Sequence, residues 1–178
     1  DITYLTLNED FAYLSLITDA YSRQIMGYQV QIDLSAQGCI GALQMALSKR
    51  TTPLLSLIHH SDRGSQYCSK AYVTILKEDK MAISMTQSGS PYDNAIAERV
   101  NGILKTEFGI EHNTGSMSQL KLKVERSILA YNTLRPHDSC ESLTPEKAHL
   151  RIGVLQKSWK NYRKINWERK KEQYQTSD

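Results

Sequence analysis

The chain has 178 residues, of which 40% are hydrophobic and 23% are charged, and it contains 9 glycines and 4 prolines. This composition excludes collagen-like, low-complexity and wholly disordered proteins. No apolar run is longer than four residues, so the sequence predicts neither a membrane span nor a signal-peptide core. The three cysteines lack metal-ligand spacing, which favours a reduced protein of the cytoplasm.

Charge is distributed unevenly along the chain. Residues 1–143 carry 13 Lys and Arg against 15 Asp and Glu, whereas residues 144–178 carry 9 against 4. An acidic-leaning body suits cation binding, and a basic segment suits contact with a polyanion. We therefore predict a core over residues 1–143 and a basic extension over 144–178, a pattern that is equally typical of a solvated helix or a frayed terminus.

The first third of the chain is typical of β-strands. Residues 1–7, 11–18 and 24–32 are rich in Ile, Leu, Tyr, Val and Thr, and polar segments separate them. Because the connections between these strands are short, they favour an antiparallel meander.

The spacing of the apolar residues then changes. Steps of three and four predict a helix from Ser35 to about Arg50, and residues 54–59 form a short apolar run typical of a buried strand. Ser69 is a suitable N-cap for a second helix, and residues 81–85 resemble another strand.

Two longer helices follow. One begins near Asp93 or Asn94 and ends at about Phe108, and the other begins near Ser116 and ends before Pro136. Three meandering strands followed by helices alternating with strands predict an α/β fold, in which helices pack on a mixed sheet.

Three carboxylates occupy places where a cleft can form. Asp1 opens the first strand, Asp62 follows the short apolar strand, and Glu98 lies in the first turns of a helix. Mg²⁺ prefers such oxygen ligands, and two ions about 4 Å apart can clamp a phosphoryl displacement. Each acid also has a structural interpretation, because Asp-Arg-Gly is an ordinary turn and a glutamate near a helix N-terminus favours the helix dipole.

Five segments carry a longer pattern, and they are Asp-Ile-Thr-Tyr (1–4), Leu-Ile-Thr-Asp-Ala-Tyr-Ser-Arg-Gln-Ile-Met-Gly-Tyr (16–28), His-His-Ser-Asp-Arg-Gly-Ser-Gln-Tyr (59–67), Ser-Gly-Ser-Pro-Tyr-Asp-Asn-Ala-Ile-Ala-Glu (88–98) and Tyr-Asn-Thr-Leu-Arg-Pro-His (131–137). In this order they resemble the catalytic core of bacterial insertion-sequence transposases of the retroviral-integrase type. The 35 residues between Asp62 and Glu98 match the spacing of this Asp-Asp-Glu family.

The resemblance implies a ribonuclease H-like fold with a five-stranded mixed sheet. It implies that Asp1, Asp62 and Glu98 are catalytic and bind two Mg²⁺ or Mn²⁺ ions, which would support DNA 3′-end cleavage and strand transfer without a covalent protein intermediate. The implied partners are transposon ends and target DNA, and a homodimer or higher multimer would bring two ends together near the bacterial nucleoid. Asp19 matches no metal ligand of the family, which favours a turn role.

The resemblance also implies contacts with DNA. Lys105 matches a basic residue seven positions after the glutamate, and seven residues turn a helix by about 700°, which places Lys105 within about 20° of Glu98 around the axis. A lysine there suits a phosphate, and we assign Asn101 on the same helix to DNA contact as well. Four basic residues of the extension are assigned to phosphate contacts: Lys157, Lys160, Arg163 and Lys164.

Two other functions stay open at this point. One is a nuclease of the same fold that hydrolyses but does not join DNA, and fold alone does not separate it from a transposase. The other is a non-catalytic transposon remnant that only binds nucleic acid, against which the intact acids argue.

The start of the sequence departs from the family's pattern. Family members have a strand leading into the first aspartate and an upstream helix-turn-helix region. We therefore expect this sequence to be part of a longer transposase and Asp1 to be loosely held, because terminal residues fray unless they are tied down.

Overall fold

The structure is a computed structural model, and it describes residues 1–50, 57–86 and 94–156. The chain begins with strands β1 (Ile2–Leu7), β2 (Asp10–Thr18) and β3 (Ile25–Gln31), which form the predicted antiparallel meander. The remaining elements, in chain order, are α1 (Ala36–Ser48), β4 (Ile58–Ser61), α2 (Lys70–Glu78), β5 (Ala82–Met85), α3 (Ala95–Thr106), β6 (His112–Asn113), α4 (Met117–Leu134), a 3₁₀ turn (Asp138–Cys140) and α5 (Pro145–His149).

The sheet differs from the prediction. In the described residues, one sheet has four strands in the order β3-β2-β1-β6, and a separate pair contains β4 and β5, which run parallel. The predicted five-stranded sheet is therefore wrong in its strand pairing, although the α/β class and the mixed sheet are confirmed. The ladder between β1 and β6 is parallel and joins Thr6 to His112 and Leu7 to Asn113. A two-residue strand leaves no periodic signal in a sequence, because its pairing depends on tertiary contacts.

Helices cover both faces of the four-stranded sheet, because side chains alternate along each strand. On one face, Leu14 and Leu16 of β2 pack in a buried cluster with α3 and α4. On the opposite face, the Ser15 hydroxyl lies 3.7 Å from the Cys39 sulfur of α1. This alternation places the start of β1 between two layers of helices.

α1 approaches β3 so closely that one position has no room for a side chain. A Cβ atom on Gly27 would lie 1.9 Å from the carbonyl oxygen of Ala42 and 2.8 Å from the amide nitrogen of Ala46. Both neighbours are backbone atoms and cannot rotate away. The glycine in the Ile-Met-Gly-Tyr segment therefore serves helix–sheet packing.

The connection between β2 and β3 is a tight turn held by Asp19. Its carboxylate accepts hydrogen bonds from the backbone N–H groups of Tyr21 and Ser22 and from the Ser22 hydroxyl. Nδ1 of His149, at the end of α5, lies 3.1 Å from the same carboxylate. Burial opposes ionisation of Asp19, but the hydrogen bonds from Ser22 and His149 outweigh it and lower the pKa of Asp19. The predicted turn role of Asp19 is confirmed.

The predicted boundary between residues 143 and 144 stays a prediction. α5 lies beyond that boundary and contacts the β2–β3 turn through His149. Among the described residues, no helix is both long and apolar enough to cross a membrane.

Replacing Gly27 by Ala is expected to lower the free energy of unfolding by about 1–3 kcal/mol or more, because α1 must move away from β3 to admit the methyl group. The measurement is urea unfolding followed by circular dichroism. Gly102→Ala is the control, since a Cβ atom on Gly102 meets nothing within 4 Å and sits inside α3. That control should stabilise the protein by about 0.5–1 kcal/mol. Equal stability of Gly27→Ala and the unmodified chain would contradict the packing argument.

Candidate active site

Asp1 is held by the strand that lies beside it. Its α-amino group donates to the carbonyl oxygen of Leu16 at 2.9 Å, and the Leu16 N–H donates to the carbonyl oxygen of Asp1 at 2.8 Å. Burial lowers the pKa of the α-amino group, against the opposing influence of Cys39 and Asp62. The expectation that Asp1 is loosely held is therefore wrong, because both backbone groups of Asp1 pair with β2.

The carboxylate of Asp1 has a partner on α3. The Nδ2 group of Asn101 donates to Oδ2 of Asp1 at 2.7 Å. Asn101 is only 6% exposed, and its Oδ1 atom is buried without a hydrogen-bond partner among the described residues. This position makes Asn101 a neighbour of the acid, a role the sequence analysis did not assign to it, while its predicted contact with DNA stays a prediction.

Asp62 lies in the turn that follows β4. Its Oδ1 atom accepts the N–H of Gly64 at 2.8 Å, which is the hydrogen bond that closes an Asx turn. A Cβ atom on Gly64 would lie 2.9 Å from that same oxygen, so a side chain at this position would displace the Asp62 carboxylate. The other oxygen, Oδ2, accepts no hydrogen bond within the described ranges and remains available to a ligand.

Three buried rings, those of His59, Tyr67 and Tyr72, hold β4 in place next to Asp62 in the chain. Nε2 of His59 lies 2.8 Å from the Tyr72 hydroxyl of α2, and the ring of Tyr67 packs against that of Tyr72 with centroids 5.4 Å apart. Burial lowers the pKa of His59 to about 4, with smaller contributions from the α-amino group and His60. His59 is therefore a core histidine that is neutral at pH 7.

α3 carries the third acid. Glu98 lies in the first turn of α3 and is exposed, and Lys105 lies in its last turn and is partly buried. The helix predicted from Asp93 or Asn94 to Phe108 is thus confirmed, with bounds that are shorter at both ends. Glu98 precedes Asn101 by three residues, so the two side chains share one face of α3.

The described structure does not bring the three predicted acids into one cluster. The charge of Asp62 raises the pKa of the Asp1 α-amino group, against the larger effect of burial. Within residues 1–50, 57–86 and 94–156, no group of three or more His, Cys, Asp and Glu side chains is arranged to hold a metal ion. Glu98, which is exposed on α3, is therefore not part of a preformed group of three metal-binding side chains among the described residues.

The chemistry of the available donors fits a hard divalent cation. Three carboxylates and the unpartnered Oδ1 atom of Asn101 supply only oxygen, which is the donor that Mg²⁺ prefers. Asp1 and Asn101 are already oriented by their mutual hydrogen bond. Lys157, Lys160, Arg163 and Lys164 lie outside the described residues.

Comparison with known proteins identifies the family. Two sequence profiles, both described as integrase core domain, match residues 1–91 and residues 79–145. The chain belongs to the integrase core domain family. The InsF transposase of insertion sequence IS3A from Escherichia coli is 38% identical to this integrase core domain over 148 residues, which are 83% of this chain.

A second relative is the putative transposase of insertion sequence element IS986/IS6110 from Mycobacterium tuberculosis. It is 34% identical over 150 residues, which are 82% of this chain. The chain spans about half the length of these curated relatives, 51% of InsF and 54% of the mycobacterial protein.

Solved structures show the same fold at low sequence identity. The simian T-cell lymphotropic virus intasome contains a chain that aligns with a TM-score of 0.70 at 17% identity, over 89% of this chain and 56% of its own length. The HTLV-2 integrase catalytic core domain in complex with magnesium, in its trimeric form, aligns with a TM-score of 0.65 at 16% identity, over 84% of this chain and 92% of that domain. The integrase core domain described here thus has the fold of retroviral integrase catalytic cores.

Acid is expected to destabilise this domain through His59. Its pKa in the folded protein, about 4, lies below its ordinary value of 6.5, so the unfolded chain takes up the proton more readily. The free energy of unfolding should therefore fall as the pH drops from 6.5 towards 4, by up to about 1.4 kcal/mol per pH unit from this group. Urea unfolding at several pH values measures the slope.

His59→Gln should reduce the slope of the free energy of unfolding against pH by up to the equivalent of one proton, because the variant lacks the group that the unfolded chain protonates more readily. A slope in His59→Gln equal to that of the unmodified domain would show that His59 titrates normally.

Proposed function

We propose that this domain catalyses metal-dependent cleavage at the 3′ end of a transposon and transfer of that end into target DNA. The observation that carries the proposal is the hydrogen bond between Asn101 and Asp1, because it joins α3 to the strand that carries the first acid. Membership of the integrase core domain family and similarity to insertion-sequence transposases support the reaction class. The proposed setting is chromosomal DNA in a bacterial cytoplasm.

In this proposal Asp1, Asp62 and Glu98 hold two Mg²⁺ or Mn²⁺ ions. When bound, such ions activate the attacking oxygen and stabilise the leaving oxygen of a phosphodiester. Asn101 fixes the orientation of the Asp1 carboxylate, because its Nδ2 group donates a hydrogen bond to one of the two carboxylate oxygens. Gly64 does the same for Asp62 through its backbone N–H.

DNA contact is proposed for Lys105 and for the basic extension. Lys105, about two helical turns from Glu98 on α3, is suited to hold a phosphate of the bound strand. The basic extension, which lies outside the described residues, is proposed to add contacts that do not depend on DNA sequence. A dimer or higher multimer is proposed because two transposon ends must meet, and the trimeric and dimeric forms of the HTLV-2 integrase core show that a domain of this fold can assemble.

Removing the charge of either predicted metal ligand should abolish strand joining in the full-length protein. Asp62→Asn keeps an oxygen for the Gly64 N–H, and Glu98→Gln changes an exposed side chain, so neither should disturb folding. DNA affinity should stay within about twofold, because basic groups supply the affinity for phosphates. A joining assay with a pre-cleaved transposon end measures the loss of activity, and filter binding measures affinity.

The control is Glu125→Gln, which removes an exposed glutamate from α4. Near-normal joining by Asp62→Asn or Glu98→Gln would contradict the assignment, as would a fall in DNA affinity that matches the fall in joining. Cleavage without joining by the unmodified protein would identify a nuclease, and binding without either reaction would identify a transposon remnant.

Deleting residues 157–178 should flatten the dependence of DNA affinity on salt. Removing one phosphate contact should reduce the slope of log affinity against log salt concentration by about 0.9, because fewer counterions are released on binding. Fluorescence anisotropy with a duplex at several salt concentrations measures this slope. Lys77→Gln, which removes one exposed charge from α2, is the control, and an unchanged slope on deletion would assign the extension no role in DNA binding.

A further inference from the structure

The Tyr-Asn-Thr-Leu-Arg-Pro-His segment, residues 131–137, forms contacts whose role the sequence did not reveal. Nε of Arg135 donates to Oε2 of Glu107 at 2.6 Å, and one of its terminal nitrogens donates to Oε1 of the same carboxylate at 2.7 Å. The remaining terminal nitrogen donates to the carbonyl oxygen of Pro136 and lies 3.3 Å from Nε2 of His137. All three nitrogens of the guanidinium are therefore engaged.

The bidentate contact between Arg135 and Glu107, called the fork below, connects the C-terminal ends of two helices. Glu107 is the C-cap residue of α3, and Arg135 is the C-cap residue of α4. The hydrogen bond from Arg135 lowers the pKa of Glu107 and keeps the pair ionised. A bidentate arginine–carboxylate pair fixes geometry more strongly than a single hydrogen bond, because both groups are planar.

α3 has one polar attachment in its middle, at Asn101, and one at its C-terminal end, at Glu107. In the described part of the chain, Asn101 binds Asp1 and Glu107 binds Arg135, and six residues correspond to about 9 Å along a helix axis. The apolar side chains between them, such as Leu104, pack in the core, and hydrophobic burial is not directional. The two directional contacts therefore set the rotation and axial position of α3.

α4, which holds α3 through Arg135, is itself hydrogen-bonded to the sheet. The Tyr131 hydroxyl donates to the carbonyl oxygen of Arg23 at 3.0 Å, and the Asn132 side chain makes two 3.0 Å hydrogen bonds with the backbone N–H and C=O of Ile25. Ile25 begins β3, which pairs with β2, and β2 pairs with Asp1 through Leu16. The contacts thus form a closed ring from Asp1 through α3, α4, β3 and β2 back to Asp1.

We propose that Arg135 is a positioning residue for the acidic site, because its bidentate contact with Glu107 completes the ring of contacts that joins α3, the helix that carries Glu98 and Asn101, to Asp1. Without the contact between Arg135 and Glu107, α3 keeps its apolar packing and the Asn101–Asp1 hydrogen bond but loses the directional contact at its C-terminal end. This inference rests on the proposed function for the metal readout below, but its structural readout does not depend on metal.

The test replaces Arg135 by Gln in the full chain and measures two properties. The first is the NMR signal pair of the Asn101 side-chain amide, which reports the hydrogen bond to Asp1 without metal. The second is Mn²⁺ affinity, measured by calorimetry. Arg135→Gln should shift the Asn101 signals and raise the Mn²⁺ dissociation constant by about tenfold, the lower end of the effect of outer-shell partners.

Matched variants separate positioning from a general fall in stability. Arg126→Gln removes an exposed arginine from the same helix and should change neither property. Glu107→Gln should reproduce the effect of Arg135→Gln even if the latter folds poorly, since it removes the other half of the pair. The charge exchange of Glu107→Arg with Arg135→Glu should restore both properties towards those of the unmodified chain.

Unchanged Asn101 signals in both Arg135→Gln and Glu107→Gln would overturn the positioning role, even if those variants melt at a lower temperature. If the unmodified chain binds no Mn²⁺, the proposed metal site fails, and the Asn101 signals still decide whether Arg135 positions α3.

Discussion

The hydrogen bond between the Asn101 amide and the Asp1 carboxylate is the contact on which the rest of the site depends. It spans 100 residues and joins the first strand to the helix that carries Glu98. A buried amide makes a directional contact, and leaving either group unpaired in the interior is costly. Because Asp1 is also paired with Leu16, the acid is fixed at its backbone and at its side chain.

The surrounding fold makes this contact possible by bringing three layers close together. Gly27 lets α1 lie against β3, and α3 and α4 cover the opposite face of the sheet. Asp1 is half-buried where it meets β2 and α3, Thr3 of β1 is buried, and Glu98 is exposed on α3.

The acids are supported to different degrees. Asp62 is oriented locally, by an Asx turn and by the His59–Tyr72 contact beneath β4, whereas Asp1 and Glu98 depend on long-range packing. A preformed cluster of three carboxylates would be costly without a cation, because like charges in a partly buried site repel.

Residue patterns along the chain predict the class of fold, the meander of three strands, and the bounds of α3 and α4 within a few residues. These features follow from periodicity, capping and turn chemistry, which act over a few residues. Three contacts follow only from the folded chain: β6 pairs with β1, Asn101 binds Asp1, and Arg135 binds Glu107. Those contacts join residues far apart in the chain, and two short strands or two side chains at the ends of separate helices leave no local pattern from which their pairing follows.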